Sequence, residues 1–405
     1  MTQIIVLGGC GAVGSVAVKT LASIPDFSEV IIGDINIKRA RELVNELRSE
    51  KVKAILIDAN NPDSIPNAIA DSDIVLNCVG PFYTFGPAIL KAVIAARKNY
   101  IDVCDDVDAT MAMLQMDMAA KQSNVTALIG MGSSPGITNL LAKFAADNLL
   151  DEVISIDIYH AHGGEPFEGP GVIAHRFHAM MIEIPIYING EFQQVKFFEE
   201  SGKGLQEEVE FAKLGTFNVS PYPHPETITL PRYIPGIKRV TNKGTVLPPE
   251  YFKLTADMVR LGLAEEEPLD VQGALVRPAE FAIAFLIKQR EQILKDSNFG
   301  IQRGCVKTVV KGTLDSNPHT FVFSLASEQQ ALGEGTGIPL ALSATLMKRG
   351  LIQEKGVLPP EACVNPIDFL GIIRDYLGLE STRDDTSPLM IESIDWKGNM
   401  EKIDL

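Results

Sequence analysis

The sequence predicts an α/β protein: a doubly wound parallel sheet, followed by a second α+β domain of mostly antiparallel sheet. Three observations carry this reading. From residue 1 to about 130, apolar strand-like runs alternate regularly with helical segments across short loops. Those runs are rich in Val, Ile and Leu without apolar–polar alternation, as expected of parallel strands covered on both faces. Beyond about 150 the rhythm changes to longer β runs joined as hairpins.

In order, strands are expected at 4–7, 30–33, 54–57, 74–78, 100–103 and 126–130, with helices at 12–24, 37–50, 64–71, 86–97 and 107–122 between and after them. Six strands make a full doubly wound set. Residues 152–162 read as a long strand, and Asn189-Gly190 between two strand-like runs at 184–198 is a hairpin turn signal. A second hairpin is expected over 306–327, with helices over 248–261 and 278–295. Residues 333–352 read as a glycine-rich turn that opens a helix; the tail adds a helix over 366–377 and a short strand over 391–396.

A chain of 405 residues suggests two or three domains. Its net charge of −16 disfavours nucleic acid and anionic membrane surfaces, which need a basic patch. No window approaches the roughly 20 apolar residues of a membrane span. Met1-Thr2-Gln3 lead directly into a strand, leaving no room for a secretory signal, so the cytoplasm is the expected location. The five cysteines are widely spaced without a Cys-x-x-Cys pair, and we read them as reduced thiols with no structural zinc.

Gly9-Cys10-Gly11-Ala12-Val13-Gly14 fits G-x-G-x-x-G between a buried strand and a helix, the context in which this motif holds a dinucleotide. Gly9 makes the tight turn, Gly11 admits the pyrophosphate and Gly14 lets helix and strand pack closely. The phosphates then meet helix N–H groups at Ala12 and Val13. Asp34 ends the second strand, where an acidic residue binds the adenosine ribose. This is a Rossmann arrangement. Asp34 repels a 2′-phosphate and favours NAD, while Lys38 and Arg39 one turn later leave NADP open. Asp58 and Ala59 after the third strand would border the adenine, and Cys78-Val79-Gly80-Pro81 after the fourth would run toward the nicotinamide.

Three further runs, "NCVGPFYTFGPAILKAVIAARKNYIDVCDD" (77–106), "GMGSSPGITNLLA" (130–142) and "GTGIPLALSATLMKRGLIQEKGVLPPE" (335–361), resemble the saccharopine dehydrogenase-like proteins in order and spacing. That group includes saccharopine reductase, L-lysine 6-dehydrogenase and carboxynorspermidine dehydrogenase relatives. The resemblance implies a Rossmann domain over 1–130 that is completed by 335–378, and an α+β substrate and dimerisation domain over 131–334. Residues 379–405 form a C-terminal tail. It also implies NAD(P)-linked oxidation or reduction of a carbon–nitrogen bond in an amino acid, by a homodimer. Saccharopine reductases carry an acidic residue before the second Pro-Gly and a Thr-Ser-Tyr type run after the fifth strand. Ser134 and Cys104-Asp105-Asp106 stand at those positions, whereas the "PGITN" run (135–139) and the later "HPE" run (224–226) look closer to the lysine-dehydrogenase branch. Reductive condensation of an amine with a keto acid or aldehyde, and a non-catalytic NAD-binding regulator, remain alternatives.

Removing hydride from an amine, or delivering it to an imine, needs a proton carrier near the reacting carbon. Asp102, Asp105 and Asp106 follow the fifth strand, where like charges would raise one another's pKa. The resemblance singles out Asp105 as catalytic and Asp106 as substrate-binding. His162 occupies the position of a substrate-bordering Cys before a Gly-Gly in that family. His224 and Glu226, in a proline-stiffened loop, are further catalytic candidates, and Arg176 is a fork for a substrate carboxylate, the alternative being a surface arginine. Ser134 and Gly136 open a helix whose free N–H groups suit another carboxylate.

Overall fold

The computed structural model describes the chain except residues 1, 62, 166–167, 329–331, 381–386 and 405. The chain divides into two units, one made of Met1–Leu150, Arg232–Ile234 and Leu332–Asp384, the other of Asp151–Pro231, Pro235–Ala331 and Asp385–Leu405.

In chain order the first unit runs β1 (Gln3–Leu7), α1 (Ala12–Ser23), β2 (Glu29–Asp34), α2 (Ile37–Leu47), β3 (Val52–Leu56), α3 (Ser64–Ile69), β4 (Ile74–Asn77), α4 (Phe82–Ala95), β5 (Asn99–Asp102), α5 (Val107–Leu114), α6 (Asp117–Gln122), β6 (Thr126–Leu128) and α7 (Ile137–Asn148). There follow β7 (Glu152–Gly163), α8 (Pro170–Met181), β8 (Glu183–Ile188), β9 (Glu191–Lys196), α9 (Glu200–Lys203), β10 (Glu207–Phe211), β11 (Gly215–Pro221), α10 (Glu226–Tyr233) and β12 (Arg239–Leu247). Next come α11 (Pro249–Arg260), β13 (Leu269–Val271), β14 (Ala274–Val276), α12 (Pro278–Asp296), β15 (Arg303–Leu314) and β16 (Asn317–Ser327). The chain ends through α13 (Leu332–Lys348), β17 (Gly356–Leu358), α14 (Pro360–Cys363), α15 (Pro366–Leu377), β18 (Leu389–Ile394) and β19 (Met400–Lys402).

The first unit holds a parallel sheet of order β17-β6-β5-β4-β1-β2-β3. Ile4, Ile5, Val6 and Leu7 of β1 are fully buried, which is why the strand reads as a continuous apolar run. β1 lies between β2 and β4, so the strand order reverses there and opens the crevice in which such sheets bind ligands. The seventh strand, β17, escaped the sequence reading because only Gly356, Val357 and Leu358 pair with β6. α7 belongs to this unit, against the expected boundary at 130. The glycines of 333–337 do not form a turn before a helix; they lie inside α13. A Cβ on Gly337 would stand 2.7 Å from the Val13 carbonyl and 2.8 Å from Cβ of Val16, so these glycines let α13 pack directly on α1.

The second unit is built on a sheet of order β10-β11-β12-β7-β15-β16-β18-β19, with β8 paired to β12 and β9. Its central strand β7 pairs parallel with β12 and antiparallel with β15, and the remaining pairs are antiparallel. Asn189 and Gly190 turn the β8–β9 hairpin with φ of 57° and 81°, as the Asn-Gly signal requires. The expected tail supplies β18, which lies between β16 and β19.

One buried network ties the carboxyl ends of β4, β5 and β6. Asp102 Oδ1 accepts the Gly130 amide at 2.7 Å and the Cys104 amide at 3.0 Å, while its Oδ2 accepts the Tyr100 hydroxyl at 2.8 Å. That hydroxyl accepts Asn77 Nδ2 at 2.9 Å. Burial pushes the Asp102 carboxyl up from 3.8 to about 6, with the charge of Asp105 a smaller contribution, so desolvation and not like-charge clustering governs this group. A raised native pKa means the stabilising contribution is fully present below about pH 4 and is lost as pH rises through about 6. The unfolding free-energy gap between the parent and Asp102→Asn is therefore expected to narrow between pH 4 and 7, by on the order of 3 kcal/mol for two pKa units. Denaturant titrations at several pH values check this; a gap independent of pH would refute it.

Candidate active site

The glycine loop is built for close approach. A Cβ on Gly14 would run into the Gly8 carbonyl and stand 2.8 Å from Cα of Gly9, so only glycine lets α1 start against the end of β1. Gly8 has φ of +71° and packs on the Cys78 carbonyl, which brings the ends of β1 and β4 together. Gly8 and Gly9 donate to the Gly33 carbonyl at 2.8 and 3.4 Å, so the end of β2 holds the loop as well. Gly11 differs from these. It caps α1 with φ of −71°, carries no side chain to accept the first amides, and a Cβ there would meet only the Gly8 carbonyl at 3.4 Å. The space beside the helix N-terminus is thus open, and the amides of Ala12, Val13 and Gly14 face no capping side chain. A Cβ on Gly80 would meet nothing within 4 Å.

Asp34 is the last residue of β2. Its Oδ2 accepts the Cys10 amide at 3.1 Å and its Oδ1 the Asn36 amide at 2.9 Å. An ionised carboxylate has about four acceptor sites, so it keeps capacity for ribose hydroxyls. Arg39 is engaged by Glu46 at 2.8 Å and Glu42 at 3.5 Å. Asp58 turns the chain by accepting the Asn60 amide at 2.9 Å, with Ala59 between them. Asn77 Oδ1 accepts the Val79 amide at 2.9 Å, fixing the Cys78-Val79-Gly80-Pro81 loop. These residues fit a dinucleotide: open amides for the pyrophosphate and a carboxylate for the ribose.

Some residues expected to touch substrate have structural work in the fold. Asp106 is buried, and its Oδ2 accepts the Tyr83 amide at 3.0 Å in the first turn of α4. The start of α7 was expected to offer free N–H groups around Gly136. Its amides are already satisfied: Gly136 donates to Asn139 Oδ1 at 2.9 Å, Ile137 to the Gly132 carbonyl at 3.0 Å and Thr138 to the Ser133 carbonyl at 3.1 Å. The reason is the tight loop that passes through Ser134, where a Cβ on Gly136 would collide with Gly132. Asp105 keeps partial exposure at the mouth of the sheet.

In the second unit the histidines gather. His160 and His162 share a face of β7, and their ring centroids are 6.4 Å apart. His160 is buried, stacks with His224 at 5.3 Å and meets Tyr222 edge-on at 5.1 Å. Its ring lies over Gly244 of β12, its register partner, where any Cβ would strike it. Burial, and then the neighbouring His224, His162 and His175, hold the His160 pKa well below the usual value, so this ring is neutral. His162 Nδ1 lies 3.0 Å from Glu165 Oε1, and His224 Nδ1 lies 3.1 Å from Glu226 Oε2. The expected loop over a site is in fact a buried His–Glu pair at the start of α10, with Glu226 fully enclosed. His175 reaches the same group through Tyr222, at 6.1 Å.

Arg176 is not a surface arginine: it is 2% exposed. One nitrogen donates to Glu168, and the guanidinium lies 5.4 Å from the centre of the Tyr251 ring. Its Nη1 is buried without a hydrogen-bond partner. Buried donors are paired in the great majority of cases, so an orphan of this kind marks a place for a ligand oxygen. Sequence reasoning missed Tyr222 and Tyr251, which come from distant segments, and Glu165 and Glu168, because an acidic residue near a histidine or arginine in the chain does not by itself show that its side chain turns toward it.

The open space at Gly11 gives a clean test. Gly11→Val fits the backbone and is expected to leave folding unchanged while its side chain occupies the pyrophosphate position, reducing NADH affinity at least 100-fold, on the order of 3 kcal/mol. Fluorescence titration of NADH against parent and variant measures it; undiminished binding would move the cofactor elsewhere.

Comparison with known proteins agrees with this geometry. Residues 4–128 match the family described as saccharopine dehydrogenase NADP binding domain. A carboxynorspermidine synthase of Vibrio cholerae is 26% identical, with 93% of this chain and 97% of that protein covered. A carboxyaminopropylagmatine dehydrogenase of Synechocystis is 21% identical, covering 90% and 94%. Among solved structures, apo saccharopine dehydrogenase (L-Glu forming) from Saccharomyces cerevisiae shares the fold with a TM-score of 0.67 at 17% identity, covering 93% of this chain and 98% of that one. The chain is an NAD(P)-dependent oxidoreductase that is similar along its length to saccharopine dehydrogenase-like proteins.

Proposed function

We propose that this protein reductively joins a primary amine to an aldehyde carrying an α-amino acid, giving a secondary amine that bears a carboxylate. The observation that carries this reading is the buried, unpartnered Nη1 of Arg176, a fixed donor for such a carboxylate. It is supported by relatives that match along nine-tenths or more of both chains and are named for carboxylated polyamine products. Disconnecting the secondary amine of those products leaves a diamine or agmatine and an α-amino-acid semialdehyde. The amine adds to the carbonyl, water leaves, and the imine is reduced and protonated. When bound, reduced nicotinamide supplies the hydride; the chain supplies the rest. Ala12, Val13 and Gly14 offer their amides to the pyrophosphate, and Asp34 binds the ribose. Arg176 orients the carboxylate, and His162, backed by Glu165, holds or delivers the proton, with Asp105 a second proton carrier and His224–Glu226 in reserve. Oxidation of lysine or of a saccharopine-like amine is the same bond chemistry run backward and is the second reading, favoured by the "PGITN" and "HPE" runs.

NAD is the proposed partner, because Asp34 places a fixed negative charge at the ribose and Arg39 is held by two glutamates. A cytoplasmic homodimer belongs to the same proposal: the five free thiols suit a reducing compartment, and Leu269, Val271 and Leu275 of the β13–β14 hairpin are exposed as an apolar surface. Among the described residues, no helix is long and apolar enough to cross a membrane.

Two outcomes follow. Asp34→Ser is expected to raise NADPH affinity relative to NADH at least tenfold, by removing repulsion of the 2′-phosphate; titration of both cofactors measures the ratio, and an unchanged ratio would place the ribose away from Asp34. In an absorbance screen following cofactor oxidation, 1,3-diaminopropane, putrescine and agmatine are each supplied with aspartate β-semialdehyde, alongside L-lysine with 2-oxoglutarate. On the pair that turns over, His162→Ala and Asp105→Asn are each expected to lower kcat by roughly 100-fold or more while NADH affinity stays within twofold. Full turnover in both variants would shift the proton-handling role to His224 and Glu226.

A further inference from the structure

Arg290, on α12, lies far in sequence from every residue assigned above, yet its side chain reaches the loop that follows β7. Its Nη2 donates to the Glu165 carbonyl at 2.7 Å and lies 3.5 Å from Glu165 Oε2, while its Nε is 3.4 Å from Glu168 Oε2. Arg290 and both glutamates are nearly buried, with side chains 11%, 11% and 6% exposed. One guanidinium therefore bridges two carboxylates, and each carboxylate has a second partner. Glu165 holds His162 Nδ1 at 3.0 Å; Glu168 holds Arg176 and accepts the Tyr251 hydroxyl at 2.6 Å. These contacts form a continuous line: His162, Glu165, Arg290, Glu168, Arg176.

We propose that Arg290 is a positioning residue that sets His162 and Arg176 together, so that the proton-handling imidazole and the carboxylate-binding guanidinium are held in one fixed arrangement. The proposal rests on the reading of His162 and Arg176 given above. Its physical basis is the fork. Two nitrogens of one planar group pin two side chains three residues apart on the same loop, which a point-charge ammonium cannot do. The charges agree: Arg176 and Arg290 balance Glu165 and Glu168, so neither carboxylate is left without a cationic partner to compete for the buried Nη1 of Arg176. Burial alone would raise the Glu165 pKa, but the His162 hydrogen bond and charge, with Arg290 adding to them, bring it down to about 2, so it stays an acceptor across the working pH range. Without the bridge, His162 and Arg176 would each keep one partner but lose their common reference, and displacements of about 1 Å in such groups can lower rates about 100-fold.

The test compares Arg290→Gln and Arg290→Lys with the parent, using the amine and semialdehyde pair identified in the screen. The expected result is a fall in kcat/KM of about 100-fold in Arg290→Gln, divided between a lower kcat and a higher KM for the semialdehyde, with NADH affinity within twofold. Arg290→Lys keeps the charge and guards against loss of folding; it is expected to retain the parent's melting temperature within a few degrees and still to lose roughly tenfold in kcat/KM, because it cannot fork. A merely structural role would lower the melting temperature and leave kcat and KM per folded site unchanged in both variants, and that outcome overturns the proposal. His162→Ala and Arg176→Met are measured in parallel. If they lose turnover and the Arg290 variants do not, the positioning role alone fails; if they retain full turnover, the underlying reading fails.

Discussion

The structure of the first unit depends on one steric fact, that α1 begins in van der Waals contact with the backbone that ends β1. Glycine at position 14 makes this contact possible, since a Cβ would enter the Gly8 carbonyl. The rest follows from it. The first amides of α1 are left uncapped beside the open face of Gly11, the loop is drawn onto the Gly33 carbonyl, and Asp34 closes it by accepting the Cys10 amide. α13 brings its own glycines against Val13 and Val16, so the helix that offers its N-terminus is clamped by backbone on two sides. A rigid donor array of this kind binds an anion without having to be ordered first.

The second unit solves a different problem, that of keeping charge inside. β7 places His160 and His162 on one face, and Gly244 on the neighbouring strand leaves room for the His160 ring. Around this neutral ring lie His224 with Glu226, and Tyr222 with His175. Farther along, two arginines and two glutamates neutralise one another. Buried ion pairs are a weak source of net stability, and replacing them by apolar side chains is often neutral or better. Their presence here is better understood as the means of holding an imidazole and a guanidinium in place.

The sequence made the cofactor domain largely legible because each of its signals is local. Apolar strands, the glycine motif and the acidic residue 20 positions beyond Gly14 (34 − 14) lie close together in the chain. Hairpin turns were legible for the same reason, through Asn189-Gly190. What stayed hidden depends on distance. β17 is three residues long and gains meaning only by pairing with β6. The amides around Gly136 looked free because the chain alone does not show that Gly132, Ser133 and Asn139 fold back onto them. Arg176 looked as much like a surface residue as a site residue, because its burial comes from Glu168 and from Tyr251, 75 residues later (251 − 176). Arg290 carried no signal at all: an arginine in an amphipathic helix is ordinary until its two carboxylates are seen.

The most direct test of the proposed chemistry is the mass balance of the reaction. Protein, NADH, 1,3-diaminopropane and aspartate β-semialdehyde are incubated together, and the products are identified by mass spectrometry while cofactor oxidation is followed in the same sample. The expected result is a new species with the mass of amine plus aldehyde, less one water and plus two hydrogens, formed one for one with oxidised cofactor. Cofactor oxidation that yields only the alcohol of the aldehyde, with no carbon–nitrogen bond formed, would contradict it.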